Sequence, residues 1–202
     1  MCKALIGAGL LAVSLTAAPA VGNSADQMQH DAVGAAVSFA DLKATVEALN
    51  AAHAATEKYR DVRVAEADGY RAIGPAVPGM GLHYFKPGIR GFDARHPPFL
   101  LYEPEEGGPK GLSLVGVAYM IGGPVGPDGQ PAAAPFPPAL AAWHKHYNIC
   151  LFADNSVEMH GKESDCEQRG GRFISESPWM LHAWIWKDSP AGVFSQTNPN
   201  VR

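Results

Sequence analysis

Glycine and proline set the limits on this fold. The chain has 202 residues, 22 of them glycine and 17 proline, and beyond residue 69 they recur too often for a long helix to fit between them. Short apolar segments lie between these breaks, at residues 81–85, 99–103, 112–121, 142–152 and 180–187, and each reads as a strand. Residues 104–111 read as a hairpin loop joining two of them. Residues 122–138, with six prolines and four glycines, read as a long surface loop. Only the stretch before Gly69 has helical character. Ser38-Phe39-Ala40-Asp41 has the form of a capping box, and Phe39, Leu42, Val46, Leu49, Ala52/His53, Thr56, Tyr59 and Val62 follow at steps of three and four. The spacing predicts one continuous helix over 38–68, with that stripe facing the core and Gly69 ending it. A helix followed by consecutive strands predicts an α+β fold: a long N-terminal helix packed on an antiparallel β-sheet or barrel-like sandwich, in one globular domain over 38–202.

Residues 1–20 read as a signal peptide, with Lys3 before an apolar stretch over 4–13 and Ala18-Pro19-Ala20 as a small-residue cleavage signature. That stretch falls short of the roughly 20 apolar residues a membrane span needs. Residues 21–37 read as a flexible leader. The expected product is therefore periplasmic or secreted, with no integral membrane segment after cleavage. A net charge of −4 with 16 basic residues makes no electrostatic case for nucleic acid. Hydrophobic residues at 47% and charged residues at 18% exclude a disordered chain. In an oxidising compartment Cys150 and Cys166 are expected to form a disulfide. The alternative makes both of them zinc ligands beside His144 and His146.

The chemistry concentrates in histidines. In Trp143-His144-Lys145-His146-Tyr147 the two imidazoles stand at i and i+2, so on a strand they share a face and could share an ion. His182 lies in Met180-Leu181-His182-Ala183-Trp184-Ile185-Trp186, apolar at alternate positions and expected to be covered on both sides. A ring buried there needs a partner. His83 enters another strand through a glycine-rich turn at 79–81. Together His83, His144, His146 and His182 form a candidate transition-metal site, with zinc or copper the expected ion. Methionines stand near several histidines: Met80 before His83, Met180 before His182, Met159 beside His160. Thioether with imidazole would suit copper(I), although Met80 and Met180 also read as core filling. His53, on the helical stripe, reads as a packing residue, His160 and His96 as exposed, and Glu103, Glu105 and Glu106 as solvated loop charge. A second reading makes the histidines structural and the chain a small apolar-ligand or protein-interaction module. Its groove would be lined by Trp143, Trp184, Trp186 and Met180. A third is a metal-dependent oxidase or hydrolase. No nucleophile elbow, phosphate loop, dinucleotide fingerprint or His-Glu-x-x-His motif is present.

Several motifs together resemble a family of secreted bacterial and archaeal proteins with no settled activity. They are the Ala55-Thr56 to Tyr59-Arg60-Asp61-Val62 run, Ala67-Asp68-Gly69-Tyr70, Gly79-Met80-Gly81-Leu82-His83-Tyr84, the strand Pro98 to Pro104, the Trp143 to Cys150 segment, and His182-Ala183-Trp184 through Pro190, Gly192, Val193 and Phe194 to Asn198-Pro199. The resemblance runs from about residue 55 to residue 201. It implies export and marks His83, His144, His146 and His182 as motif positions, without a reaction. The His-x-His strand is also similar to that of cupins, but Cys150 stands where their acidic ligand is expected.

Overall fold

The computed structural model describes residues 37–126, 129–132 and 134–202. The signal peptide over 1–20 and all but the last residue of the leader lie outside them. Helix α1 (Phe39–Thr56) starts at Ser38, whose Oγ accepts the Asp41 N–H while the Asp41 carboxylate accepts the Ser38 N–H, each at 3.1 Å. Both halves of the capping box are present. The single helix to residue 68 is not. A 3₁₀ turn (Glu57–Arg60) follows α1, and a separate α2 (Val62–Ala67) begins at Asp61, whose carboxylate accepts the Arg63 N–H at 3.0 Å. Asp61 is extended (φ −91°, ψ 105°), so the side chain that caps the second helix also interrupts the first. Gly69, at φ 96°, ends α2 as expected.

The apolar stripe meets the core only in its second half. Phe39, Leu42 and Val46 are 83%, 43% and 55% exposed, whereas Ala52, Thr56, Tyr59 and Val62 are buried. Tertiary hydrogen bonds fix the buried part: Tyr102 donates its hydroxyl to the Tyr59 carbonyl at 2.6 Å, and Trp186 Nε1–H donates to Thr56 Oγ1 at 3.0 Å.

Strands β1 (Arg71–Val77), β2 (Gly81–Phe85), β3 (Phe99–Pro104), β4 (Leu112–Ile121) and β8 (Trp179–Ala183) form an antiparallel sheet in the order β1-β2-β3-β4-β8. The 104–111 hairpin joins β3 to β4. The central strands are apolar on both faces because both are covered. Leu100, Tyr102, Val117, Tyr119 and Leu181 pack with the α2 residues Val62 and Ala65 and with Phe136 from the proline-rich loop. Phe99, Leu101, Ala118 and Met180 form the core of the opposite face, with Trp184 and Val201. Strand β8 stops at Ala183, short of the expected 187. There the backbone turns to other partners: Trp184 N–H donates to the Val193 carbonyl at 2.9 Å, and Lys187 N–H to that of Val115 at 3.1 Å.

A second sheet contains β5 (Tyr147–Leu151), β6 (Val157–Glu158) and β7 (Arg172–Glu176) in the order β6-β5-β7. The two sheets do not close into a barrel. Helix α3 (Glu163–Gln168) lies between β6 and β7 in sequence, and Cys166 on it is bonded to Cys150 on β5, with Cα atoms 5.6 Å apart. The strand expected over 142–152 divides here. His144 exchanges two backbone hydrogen bonds with Met180 of β8, at 3.0 and 2.7 Å, and from Tyr147 onward the chain pairs with β7. One segment thus borders both sheets. Replacing Cys150 and Cys166 together by serine should cost about 3 kcal/mol, from a bridge spanning 16 residues. Urea denaturation checks this, and an unchanged midpoint would contradict it.

Candidate metal centre

Strand register explains why four histidines separated in sequence reach one place. Ala118 pairs with His182, Met120 with Met180, and His83 with Leu101. By the alternation of side chains, His83 and His182 therefore lie on the same face as Phe99, Leu101 and Ala118. His144 pairs directly with Met180, so its ring falls on that face, and His146 follows two residues later. Strands β2 and β8 are three strand spacings apart, about 14 Å in a flat sheet. The rings still meet, since the sheet coils and the β4 positions between them, Gly116 and Ala118, are small. Gly116, for example, has room for nothing larger: a Cβ there would stand 2.8 Å from the Ala183 carbonyl oxygen.

His83 Nε2 is 3.4 Å from His182 Nε2. Ring centroids are 5.4 Å apart for His144 and His182 and 5.0 Å for His144 and His146, both pairs edge to face. His182 is 1% exposed, and the other three rings are half-buried. His182 Nδ1 lies 2.6 Å from the Gln196 carbonyl oxygen and His144 Nδ1 lies 3.1 Å from that of Ala142. A carbonyl only accepts, so both Nδ1 atoms carry the proton and both Nε2 atoms present lone pairs. His144 Nε2 is buried and has no hydrogen-bond partner. This is the tautomer that ligates through Nε2 while a backbone carbonyl fixes the ring.

Burial first, then the proximity of His146, pushes the His83 ring down to about 4, against an opposing hydrogen bond that the ring donates to the Gly81 backbone. Burial and then His83 push His182 down to about 3. His144 and His146 are lowered mainly by burial. All four are neutral at pH 7 and able to act as ligands. Every side chain whose charge shifts the titration of these rings, among the described residues, is another histidine. One of these, His160, lies close enough to His146 to lower it further. It is exposed, as expected, in a left-handed conformation (φ 61°) beside a Gly161 N–H that bonds the Asn148 carbonyl. Its proximity to the cluster depends on how the disulfide loop folds back, which has no signal in the sequence.

Among the described residues no group of three or more His, Cys, Asp or Glu side chains is placed to hold a metal ion. The rings pack against one another instead. The tryptophans do not line one groove. Trp143 packs in the core on the helix side of the large sheet and Trp184 on the opposite face. Trp186 stacks on His53 at 3.8 Å. Met180 is buried with Trp184. The expectation of solvated charge fails at Glu103, which is 7% exposed and accepts from Lys187 Nζ and, at 3.1 Å, from the Arg202 N–H. No helix among the described residues is long and apolar enough to cross a membrane. Comparison with protein-family models, curated proteins and solved structures finds no match to this chain.

Proposed function

We propose that this domain works outside the cytoplasm and binds one transition-metal ion, zinc or copper, through His83, His144, His146 and His182, without turning over a substrate. One observation carries the reading: Nε2 of His83 faces Nε2 of His182 at 3.4 Å. Two nitrogens at that separation, each about 2.0–2.1 Å from a shared ion, subtend an angle of about 112°. Tetrahedral and trigonal geometry both fit that angle, and a linear site does not. The lone pair of His144 Nε2, buried without a partner, supplies a third donor. His146 completes the set by turning about its side-chain bonds, which a half-exposed ring does at small cost. Export is supported by the residue pattern of 1–20 and by the disulfide. The absence of a carboxylate acting on the rings, among the described residues, favours binding over acid–base catalysis.

Elemental analysis of protein purified from the periplasm tests this. About one equivalent of zinc or copper is expected, falling below about a tenth when His144 and His146 are both replaced by alanine. Metal-free wild-type protein that takes up neither ion on dialysis would sink the proposal.

A further inference from the structure

We infer that the histidine cluster is a site for monovalent copper in which the Met180 thioether is a donor. The inference rests on the metal-binding reading above and narrows it to one ion and one further ligand. Two independent features of the sheet lead to it.

The first is the position of Met180. It is the direct cross-strand partner of His144, with which it exchanges both backbone hydrogen bonds, at 3.0 and 2.7 Å. It precedes His182 by two residues on β8, and its partner on the other side is Met120. Directly paired residues of adjacent strands hold their side chains on the same face about 4.5–5.5 Å apart at Cβ, and i+2 neighbours share that face too. Met180 therefore adjoins His144 across the strands and His182 along β8, on the face those two rings share, and is itself 7% exposed. A soft sulfur in this position discriminates among ions. Thioethers contribute little to zinc and bind copper(I) well.

The second feature is charge. The donors are neutral imidazoles and a neutral thioether. Carboxylates are engaged elsewhere: Glu103 with Lys187, Glu176 with Lys145, and Glu158 with Arg169. A divalent ion in this set keeps its full double charge in a buried place. The cost of taking an ion out of water rises with the square of its charge, so a divalent ion loses about four times what a monovalent one of the same size loses. A nearby anion offsets that loss for a divalent ion bound by neutral ligands, and copper(I) has the least loss to offset. The 112° angle suits three- or four-coordinate copper(I) equally well.

The test uses the full chain with its disulfide intact, in ascorbate so that copper is reduced and the bridge is left alone. Copper(I) is titrated against bicinchoninate, and zinc against a chromophoric zinc chelator. The expected result is one equivalent of copper(I), bound at least about 100-fold more tightly than zinc, and a sulfur neighbour in the copper X-ray absorption spectrum. Met180→Leu conserves volume and should fold. It should lose the sulfur neighbour and about tenfold or more in copper(I) affinity, with zinc affinity changed less than about threefold. Zinc bound as tightly as copper(I), or a wild-type spectrum with nitrogen neighbours only, overturns the inference and leaves the metal-binding proposal standing. Failure to bind either ion overturns both. The wild-type spectrum decides the thioether question even if the variant misfolds.

Discussion

Acidification from pH 6.5 to pH 4.5 should remove on the order of 5 kcal/mol from the stability of the metal-free protein. The cause is burial of neutral imidazoles. His83 and His182 are held down to about 4 and about 3 in the folded state, against an ordinary value of 6.5. Between those limits the unfolded chain binds more protons than the folded one, so stability rises with pH across the window. Their neutral burial is fully compatible with folding above about pH 6.5 and becomes a growing penalty as pH falls toward the folded-state values. Each group removes up to about 1.4 kcal/mol per pH unit, and two groups over two units give the stated loss. His144 and His146 are shifted in the same direction and add to it. For a domain of ordinary stability, about 5–15 kcal/mol, that approaches acid unfolding. Urea midpoints measured from pH 7.5 to 4.5 in the presence of a chelator check this. A flat profile would falsify the burial of the two rings.

Gly81→Ala is expected to destabilise the protein by about 4 kcal/mol or more, and to disable ion binding with it. Gly81 opens β2 at φ 74°, where an L-residue costs about 1–2 kcal/mol. A Cβ there would also stand 2.3 Å from the Tyr102 carbonyl oxygen, a backbone atom of the central strand β3 that cannot swing away. Relief requires β2 to move off β3, and His83, two residues further on, moves with it. Gly79→Ala is the control. Its φ of 76° carries the same strain, yet its nearest neighbour is a Thr197 side-chain carbon at 3.4 Å, an ordinary contact. The two melting temperatures should differ by more than about 8 °C, which corresponds to a few kcal/mol at this size. Equal losses would mean that strain alone governs the turn.

Strands β2, β3 and β4 and their hairpin were legible because sheet strands covered on both faces appear as unbroken apolar runs between turn residues. Strand β1 was not. Its Arg71–Val77 segment contains Gly74 and Pro75, is mostly exposed, and owes its pairing to β2 more than to its own pattern. Strand β7 and helix α3 are too short to leave a period. The break at Asp61 was hidden because the apolar spacing continues through it, while a single capping carboxylate decides the backbone. The exposure of Phe39, Leu42 and Val46 shows that helical spacing gives a stripe without saying how far along it the core extends. Within the candidate site, His144 and His146 were visible as an i, i+2 pair, and His182 as a polar group in an apolar strand. The approach of His83 to His182 was invisible. It depends on sheet coiling across β3 and β4, the two strands that separate the rings and neither of which carries a ligand.

The segment that borders both sheets divides the cluster in two. His83 and His182 belong to the large sheet and come together once β2, β3, β4 and β8 have paired. His144 and His146 arrive only with the segment whose far end, at Cys150, is fastened to α3. The cluster thus has two halves, and the second lies on a segment that a disulfide ties to α3. Under the proposed function, reduction of the Cys150–Cys166 bridge should therefore loosen the His144 and His146 half of the site more than the His83 and His182 half.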